Sequence, residues 1–124
     1  MHSVEWLAGL LEGEGCFTVN TPRHPGARTP LLALGMTDGD VMTEVQVLMA
    51  SLGGRLVKRM TRRLPSGKQV YTLNLTGLPA VKVMCAILPH MGERRGAKIR
   101  AIIARWDPRV YAEARAFKAS LKGV

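Results

Sequence analysis

The sequence predicts an α+β domain in which four antiparallel strands form one sheet and helices cover one of its faces. Apolar residues recur at helical spacing in some segments and alternate at strand spacing in others. The strand segments come in two adjacent pairs, and a helical segment precedes and follows each pair. This order is αββαββα, followed by two further helices, and neighbouring strands of this kind form antiparallel sheets.

The first helix is predicted to begin after Ser3, which can cap it, with Glu5 in the first turn where negative charge is favourable. It ends near Gly13 and Gly15, because glycine favours helix termination. Residues 16–20 then alternate as the first strand.

A proline-rich basic loop covers residues 21–30, and residues 31–36 form the second strand. The tetrapeptide TDGD at 37–40 is typical of a turn followed by a helix cap. The second helix continues to Gly53, where two glycines end it.

The second half of the chain repeats the pattern. Residues 55–63 and 69–76 predict a hairpin joined by PSGK, and a third helix follows from Pro79. A fourth helix leads into Trp106. The last helix is expected at about 108–121, so we expect one domain over 1–124, with a core at about 3–106.

The chain is strongly basic, which favours a polyanionic partner. Eighteen Lys and Arg stand against nine Asp and Glu, giving a net charge of +9 and an isoelectric point near 10.4. No apolar run has the length of a membrane span, and the start MHSVEW lacks a signal-peptide pattern. We therefore expect nucleic acid rather than a membrane as the partner, and a cytoplasmic protein.

The cysteines and histidines predict no metal cluster. Cys16 and Cys85 stand alone without CxxC spacing, and the three histidines are scattered. The two cysteines are expected to be core thiols in a reducing compartment.

The segment WLAGLLEGEG at 6–15 places acid at the end of an apolar helix. Ala8 and Gly9 leave one face nearly bare, and Gly9 and Gly13 have G-x-x-x-G spacing. Small residues let two helices approach closely, although they can equally accommodate the domain's own sheet. If two copies of this helix pair about a twofold axis, their Glu14 carboxylates come close together and form one strongly negative site. Mg²⁺ suits oxygen ligands and substrate phosphate, so Glu14 is the predicted ligand and Glu12 a more exposed or structural acid.

Residues 7–15, LAGLLEGEG, resemble the LAGLIDADG signature with both aspartates replaced by glutamate. The resemblance extends over about residues 3–106 and implies the LAGLIDADG-type fold, with a saddle-shaped sheet on DNA. Proteins of this family are chiefly homing endonucleases of introns, inteins and phage genomes. A single motif is similar to the homodimeric branch.

The resemblance also implies residue roles. Glu14 and the Gly13 carbonyl would bind catalytic Mg²⁺, or Mn²⁺, and the motif helix would form the dimer interface. The interface residues are Trp6, Ala8, Gly9, Leu10 and Gly13.

Further catalytic residues follow from the same resemblance. Single-motif relatives often carry Gln and Arg at places that here fall near Thr37 and Val41; the Thr37 hydroxyl can orient a water, whereas Val41 cannot. Arg94, Arg95 and Lys98 compete for the basic position before the last conserved helix. Arg95 is the first choice.

Polar strand positions are expected to face DNA. Thr18, Asn20, Thr72 and Asn74 lie opposite the apolar residues of their strands. In the strand 55–63, periodicity favours Arg59, Thr61 and Arg63, whereas family spacing favours Lys58, and both alternatives stay open. Arg23, Arg28 and Lys68 lie on loops and a turn, where basic residues grip phosphates.

The predicted function is a site-specific, double-stranded DNA endonuclease that hydrolyses phosphodiesters with divalent metal at a pseudo-palindromic site as a homodimer. A non-cleaving DNA-binding regulator and an RNA maturase on the same fold are the alternatives. We expect such a protein to be nucleoid-associated and encoded by a phage or an intron.

Overall fold

Residues 3–20, 29–53 and 58–106 are described by a computed structural model of the chain. The predicted last helix at 108–121 and the loop arginines Arg23 and Arg28 lie outside the described residues, as does the start of the predicted strand at 55–63.

The described residues form an α+β fold, as predicted. The elements in order are α1 (Val4–Glu14), β1 (Gly15–Asn20), β2 (Thr29–Met36), α2 (Gly39–Gly53), β3 (Arg59–Arg63), β4 (Gln69–Thr76), α3 (Leu78–Ile87) and α4 (Glu93–Arg105). A short 3₁₀ turn, Leu88–His90, joins α3 to α4. The αββαββα order followed by a further helix is therefore confirmed.

The strands form one four-stranded sheet in the order β1-β2-β4-β3, and all neighbours are antiparallel. The register aligns Phe17 with Leu32, and Leu32 with Leu75. All three side chains are buried and belong to the core cluster. The helices cover this side of the sheet, which we call the covered face, and leave the opposite side as the open face.

The helix caps follow the sequence pattern. The Ser3 hydroxyl accepts a hydrogen bond from the Trp6 amide at 3.2 Å. The backbone N–H of Glu5, the Ser3 hydroxyl and the nearby His90 lower the pKa of the Glu5 carboxyl. At the start of α2, the Asp38 carboxylate accepts from the amides of Asp40 and Val41 at 3.0 and 3.2 Å. Both predicted caps are confirmed.

The predicted orientation of Arg59, Thr61 and Arg63 is wrong. Arg59 pairs with Leu73 and Thr61 with Tyr71 in β4, and Leu73 is buried in the core. The strand alternation therefore places the three residues on the covered side, not toward DNA. Periodicity misled because β3 is an edge strand whose five residues are all exposed.

Arg59 instead connects β3 to the start of α2. Its Nη1 donates hydrogen bonds to the Gly39 carbonyl at 3.0 Å and to the Thr43 hydroxyl at 3.3 Å. Its guanidinium lies 4.8 Å from the centroid of the Tyr71 ring, in cation–π geometry. These contacts fix the edge strand against the helical layer.

The two cysteines are exposed, which contradicts their prediction as core thiols. Cys16 alternates with buried Phe17 on β1 and so belongs to the open face. Cys85 lies on α3 next to the buried Met84, on the side away from the core.

We expect Arg59→Ala to lower the free energy of unfolding by about 1–2 kcal/mol, because it removes two hydrogen bonds and a ring contact. Chemical denaturation of both proteins measures the difference. Arg63→Ala is the matched control: it removes an arginine from the same side of β3 that has no hydrogen bond or ion pair with the described residues. Equal stabilities of the two variants would contradict this role.

Candidate nucleic-acid interface and metal site

The junction between α1 and β1 positions the acidic motif. Gly15 adopts an extended backbone directly after Glu14, and its N–H donates to the Leu11 carbonyl. A Cβ at Gly15 would lie 2.7 Å from that carbonyl oxygen. A side chain therefore cannot fit there without a shift of backbone, and glycine permits the helix to pass straight into the edge strand.

Glu14 and Gly13 are exposed at this junction. Because α1 ends at Glu14, the carbonyls of its last turn have no further amide in the helix to pair with. Carboxylate and carbonyl oxygens are the donors that hard divalent cations prefer. The predicted metal ligands thus have the right chemistry and are accessible.

Glu12 has a different task from Glu14. Its Oε2 accepts a hydrogen bond from the Gly92 amide at 3.0 Å, and Gly92 is the N-cap of α4. A Cβ at Gly92 would come within 2.8 Å of Glu12 Oε1. Of the two roles considered for Glu12, the structural one is the one found, and its carboxylate is only partly exposed.

α4 brings cations to the same junction. Arg95 donates from Nη1 to the Gly15 carbonyl, and Lys98 lies one turn further along the helix. A cleft runs between α4 and the outer edge of β1. Its lining residues are Gly15, Cys16, Phe17, Arg94, Arg95 and Lys98. The three competing basic residues therefore share one cleft, and Arg95 contacts the residue that follows Glu14.

Thr37 is exposed just after β2. Since Leu34 pairs with Gly15, Thr37 lies at the same end of the sheet as Glu14 but three residues beyond that pair. It is not among the residues that line the cleft. Val41 is half-buried in the first turn of α2, where its amide donates to Asp38.

The described residues of a single copy do not complete a metal site. Within residues 3–20, 29–53 and 58–106, no group of three or more His, Cys, Asp or Glu side chains is close enough to hold an ion. Glu14 and the Gly13 carbonyl are the kinds of oxygen ligand that a divalent cation takes.

The open face carries the strand residues that alternate with the buried ones. Its members are Cys16, Thr18, Thr29, Leu31, Ala33, Gly35, Met60, Arg62, Val70, Thr72, Asn74 and Thr76. Thr18, Thr72 and Asn74 are where the sequence predicted them. Asn20 pairs with Thr29 at the end of β1.

Lys58 has the orientation toward the open face that the family spacing predicted for it. It is exposed immediately before β3, and backbone alternation puts it on the same side as Met60 and Arg62. Lys68 is exposed in the turn between β3 and β4, where its carbonyl accepts from the Leu64 amide at 2.8 Å.

Met60 and Arg62 were not predicted as site residues. Their orientation is set by their partners in β4, Thr72 and Val70. The buried Leu73 and Leu75 fix the orientation of β4. The sequence signal that could have predicted their orientation is therefore the clear alternation of β4, combined with the pairing of β3 and β4 in the hairpin.

The predicted dimer surface on α1 needs one correction. Ala8 is 1% exposed and belongs to the core cluster, so it has no surface to offer a partner. Gly9 and Gly13 are exposed, and nothing lies within 4 Å of a Cβ built at either. Trp6 and Leu10 are half-buried. An open strip of small residues, one turn apart, remains on the surface of α1.

Comparison with known proteins identifies the fold. No protein-family model matches the chain, and no curated protein matches it. Among the solved structures, the chain is similar to the homing endonuclease I-CvuI, in a complex with the I-CreI target and magnesium in which the DNA is not cleaved. The identity is 18%, the match covers 90% of this chain and 74% of that chain, and the TM-score is 0.51. The predicted LAGLIDADG-type fold is therefore confirmed.

The helices of the described ranges are all too short or too polar to cross a membrane.

Substitution of the two acids of the motif, Glu12 and Glu14, should have different effects on the free energy of unfolding. Glu12→Gln weakens the cap of α4 and is expected to lower the free energy of unfolding by about 1 kcal/mol. Glu14→Gln, at an exposed helix C-terminus, is expected to stay within about 0.5 kcal/mol of the parent. Thermal or chemical denaturation measures both, and a larger loss for Glu14→Gln than for Glu12→Gln would reverse the assignment.

Proposed function

We propose that the chain is a metal-dependent DNA endonuclease of the homing type, which binds duplex DNA as a homodimer and cuts both strands of a pseudo-palindromic site. The observation that carries the proposal is the exposed Glu14 beside the cleft of Arg94, Arg95 and Lys98, at one corner of an open sheet face. An accessible acid beside clustered cations suits a metal ion and a phosphate together.

The dimer would form through α1. The open strip at Gly9 and Gly13 allows the backbone of a second α1 to approach closely, with Trp6 and Leu10 alongside. Pairing about a twofold axis would bring two Glu14 carboxylates together. A twofold dimer presents the same surface twice and therefore favours a pseudo-palindromic target.

Each copy would contribute Glu14 and the Gly13 carbonyl to bound Mg²⁺, which Mn²⁺ could replace. Such an ion, when bound, lowers the pKa of a water and stabilises the leaving oxygen. Arg95 and Lys98 would neutralise the charge of the scissile phosphate from the adjacent cleft. Thr37, at the same end of the sheet, would hold a water through its hydroxyl.

The open face would enter the major groove. Thr18, Thr72 and Asn74, with Asn20, would contact base edges. Lys58 and Lys68 would grip phosphates together with the loop residues Arg23 and Arg28. The net charge of +9 favours such an approach to a polyanion. The protein would act in the cytoplasm, on nucleoid DNA.

A non-cleaving DNA-binding regulator is the second candidate. The observation that favours it concerns the two positions where related nucleases often carry Gln and Arg. Thr37 lies outside the cleft, and the side chain of Val41 has no polar group. An RNA maturase would use the same basic surfaces on folded RNA. The cleavage experiment distinguishes these functions.

Glu14→Gln should lower the rate of DNA cleavage by more than about 100-fold, while its affinity for duplex DNA changes little. The reason is that the amide keeps the shape of the carboxylate but loses the charge that holds a cation. The measurement uses sites recovered from a randomised duplex library incubated with Mg²⁺, followed by nicking of a plasmid that carries one site. Ca²⁺ replaces Mg²⁺ in a parallel binding assay.

Glu44→Gln, an exposed carboxylate on α2, is the control and should cut like the parent. Unimpaired cutting by Glu14→Gln would remove Glu14 from the site. Sequence-selective duplex binding without any Mg²⁺-dependent cutting by the parent would favour the regulator, and tighter binding to folded RNA than to duplex would favour the maturase.

The salt dependence of the affinity for duplex DNA should reveal whether the basic residues of the cleft contact phosphates. Arg95→Ala and Lys98→Ala should each weaken duplex binding and reduce the slope of log affinity against log salt by about 1, since each removes one neutralised phosphate. Lys82→Ala removes an exposed lysine from α3, away from the cleft, and should leave the slope unchanged. Identical slopes for all three variants would exclude the cleft as a phosphate site.

A further inference from the structure

The open face carries apolar positions between its polar ones. β2 is an inner strand, and after Thr29 its open-face residues Leu31, Ala33 and Gly35 are apolar or bare, whereas the neighbouring inner strand β4 carries Thr72, Asn74 and Thr76. Thr72 leans over Gly35, where its Cγ2 would be 3.4 Å from an added Cβ, so a methyl group covers this point as well. Met60 pairs with Thr72 and is 56% exposed.

We define the apolar patch as Leu31 and Ala33 on β2, the methyl of Thr72 on β4, which lies over Gly35, and Met60 on β3 beside Thr72. Met60 is one of three large apolar residues that are exposed in the described ranges, and it is the one that lies on the sheet. The described strands place donors and acceptors directly beside these apolar positions, because Asn74 pairs with Ala33 and Thr76 pairs with Leu31.

The charges around the patch select its occupant. Arg62, with Lys58 before it, lies on the β3 side, and the cleft of Arg95 and Lys98 lies along the β1 side. A second copy placed face to face on the patch would bring these cations against one another, which is unfavourable. A polyanion is attracted to both edges at once. The occupant must therefore be anionic at its rim and must offer both polar and apolar groups to the face.

The major groove of duplex DNA has this character. It is bordered by phosphates, and the C5-methyl group of thymine is the apolar group that its base edges display. RNA has no such methyl on uracil, and the major groove of its helix is too deep and narrow for side chains. We propose that the apolar patch reads thymine C5-methyl groups; the inference rests on the proposed function and names the base that its DNA face prefers.

The inference predicts thymines opposite the patch in each half-site. Burial of one methyl should raise affinity by about fourfold, which corresponds to about 0.8 kcal/mol. Because a methyl marks only one strand of an A·T pair, the contact also distinguishes A·T from T·A.

The experiment compares thymine with deoxyuridine, which differs only by that methyl. A site recovered from the randomised library is synthesised in both forms, and Kd is measured by fluorescence anisotropy at one salt concentration. We expect weaker binding of the uracil form by about fourfold for each thymine that faces the patch. Equal Kd values overturn the inference and leave the proposed function standing, whereas no duplex binding at all overturns the proposed function and the inference with it.

Two variants assign the effect to the patch. Met60→Ala and Leu31→Ala should reduce the ratio of the two Kd values toward one, because the methyl loses its contact. Val47→Ala is the matched control, since Val47 is 61% exposed on α2 and outside the sheet. A ratio that both patch variants leave unchanged overturns the assignment.

Sedimentation of the same variants tests the competing occupant. Met60→Ala should sediment like the parent. Loss of self-association on this substitution, with the ratio unchanged, would make the patch a contact between copies and overturn the inference.

Discussion

The candidate site depends on Gly15, because three elements meet at this one residue. Its amide closes the last turn of α1 on Leu11, and its carbonyl accepts from Arg95 of α4. The space that a Cβ would need is taken by the Leu11 carbonyl. Without this close approach, the helix could not turn directly into the edge strand. The acid that ends α1 and the cations of α4 would then lie apart.

The two acids of the motif divide the work that this junction requires. Glu12 accepts a hydrogen bond from the amide of Gly92, the N-cap of α4, which has no side chain of its own to cap the helix. A carboxylate of α1 therefore helps to position Arg95, which lies in the first turn of α4. Glu14 has no such structural duty among the described contacts and lies exposed. Acid at the end of a buried helix thus has two separate reasons, one structural and one functional.

The sheet separates stability from recognition by its two faces. Leucines and Phe17 fill the covered face, and the edge strand is fixed there by Arg59 through α2 and Tyr71. Because Arg59 holds β3 from the covered face, the residues of β3 on the open face do not have to pack against the core. Met60 and Arg62 are consequently free to differ in chemistry from the core, which is the condition that a binding surface requires.

Element order, helix caps and the alternation of β1 and β4 were determined by the sequence itself, because each depends on neighbours within a few residues. The acidic motif, the basic residues of α4 and the polar positions of Thr18, Thr72 and Asn74 were recognisable for the same reason. The burial of Ala8 and the orientation of Arg59 were not. Only the tertiary structure decided them, because a strand that is polar on both sides takes its orientation from its partner. In the same way, a small residue on a helix is core or surface according to what packs against it.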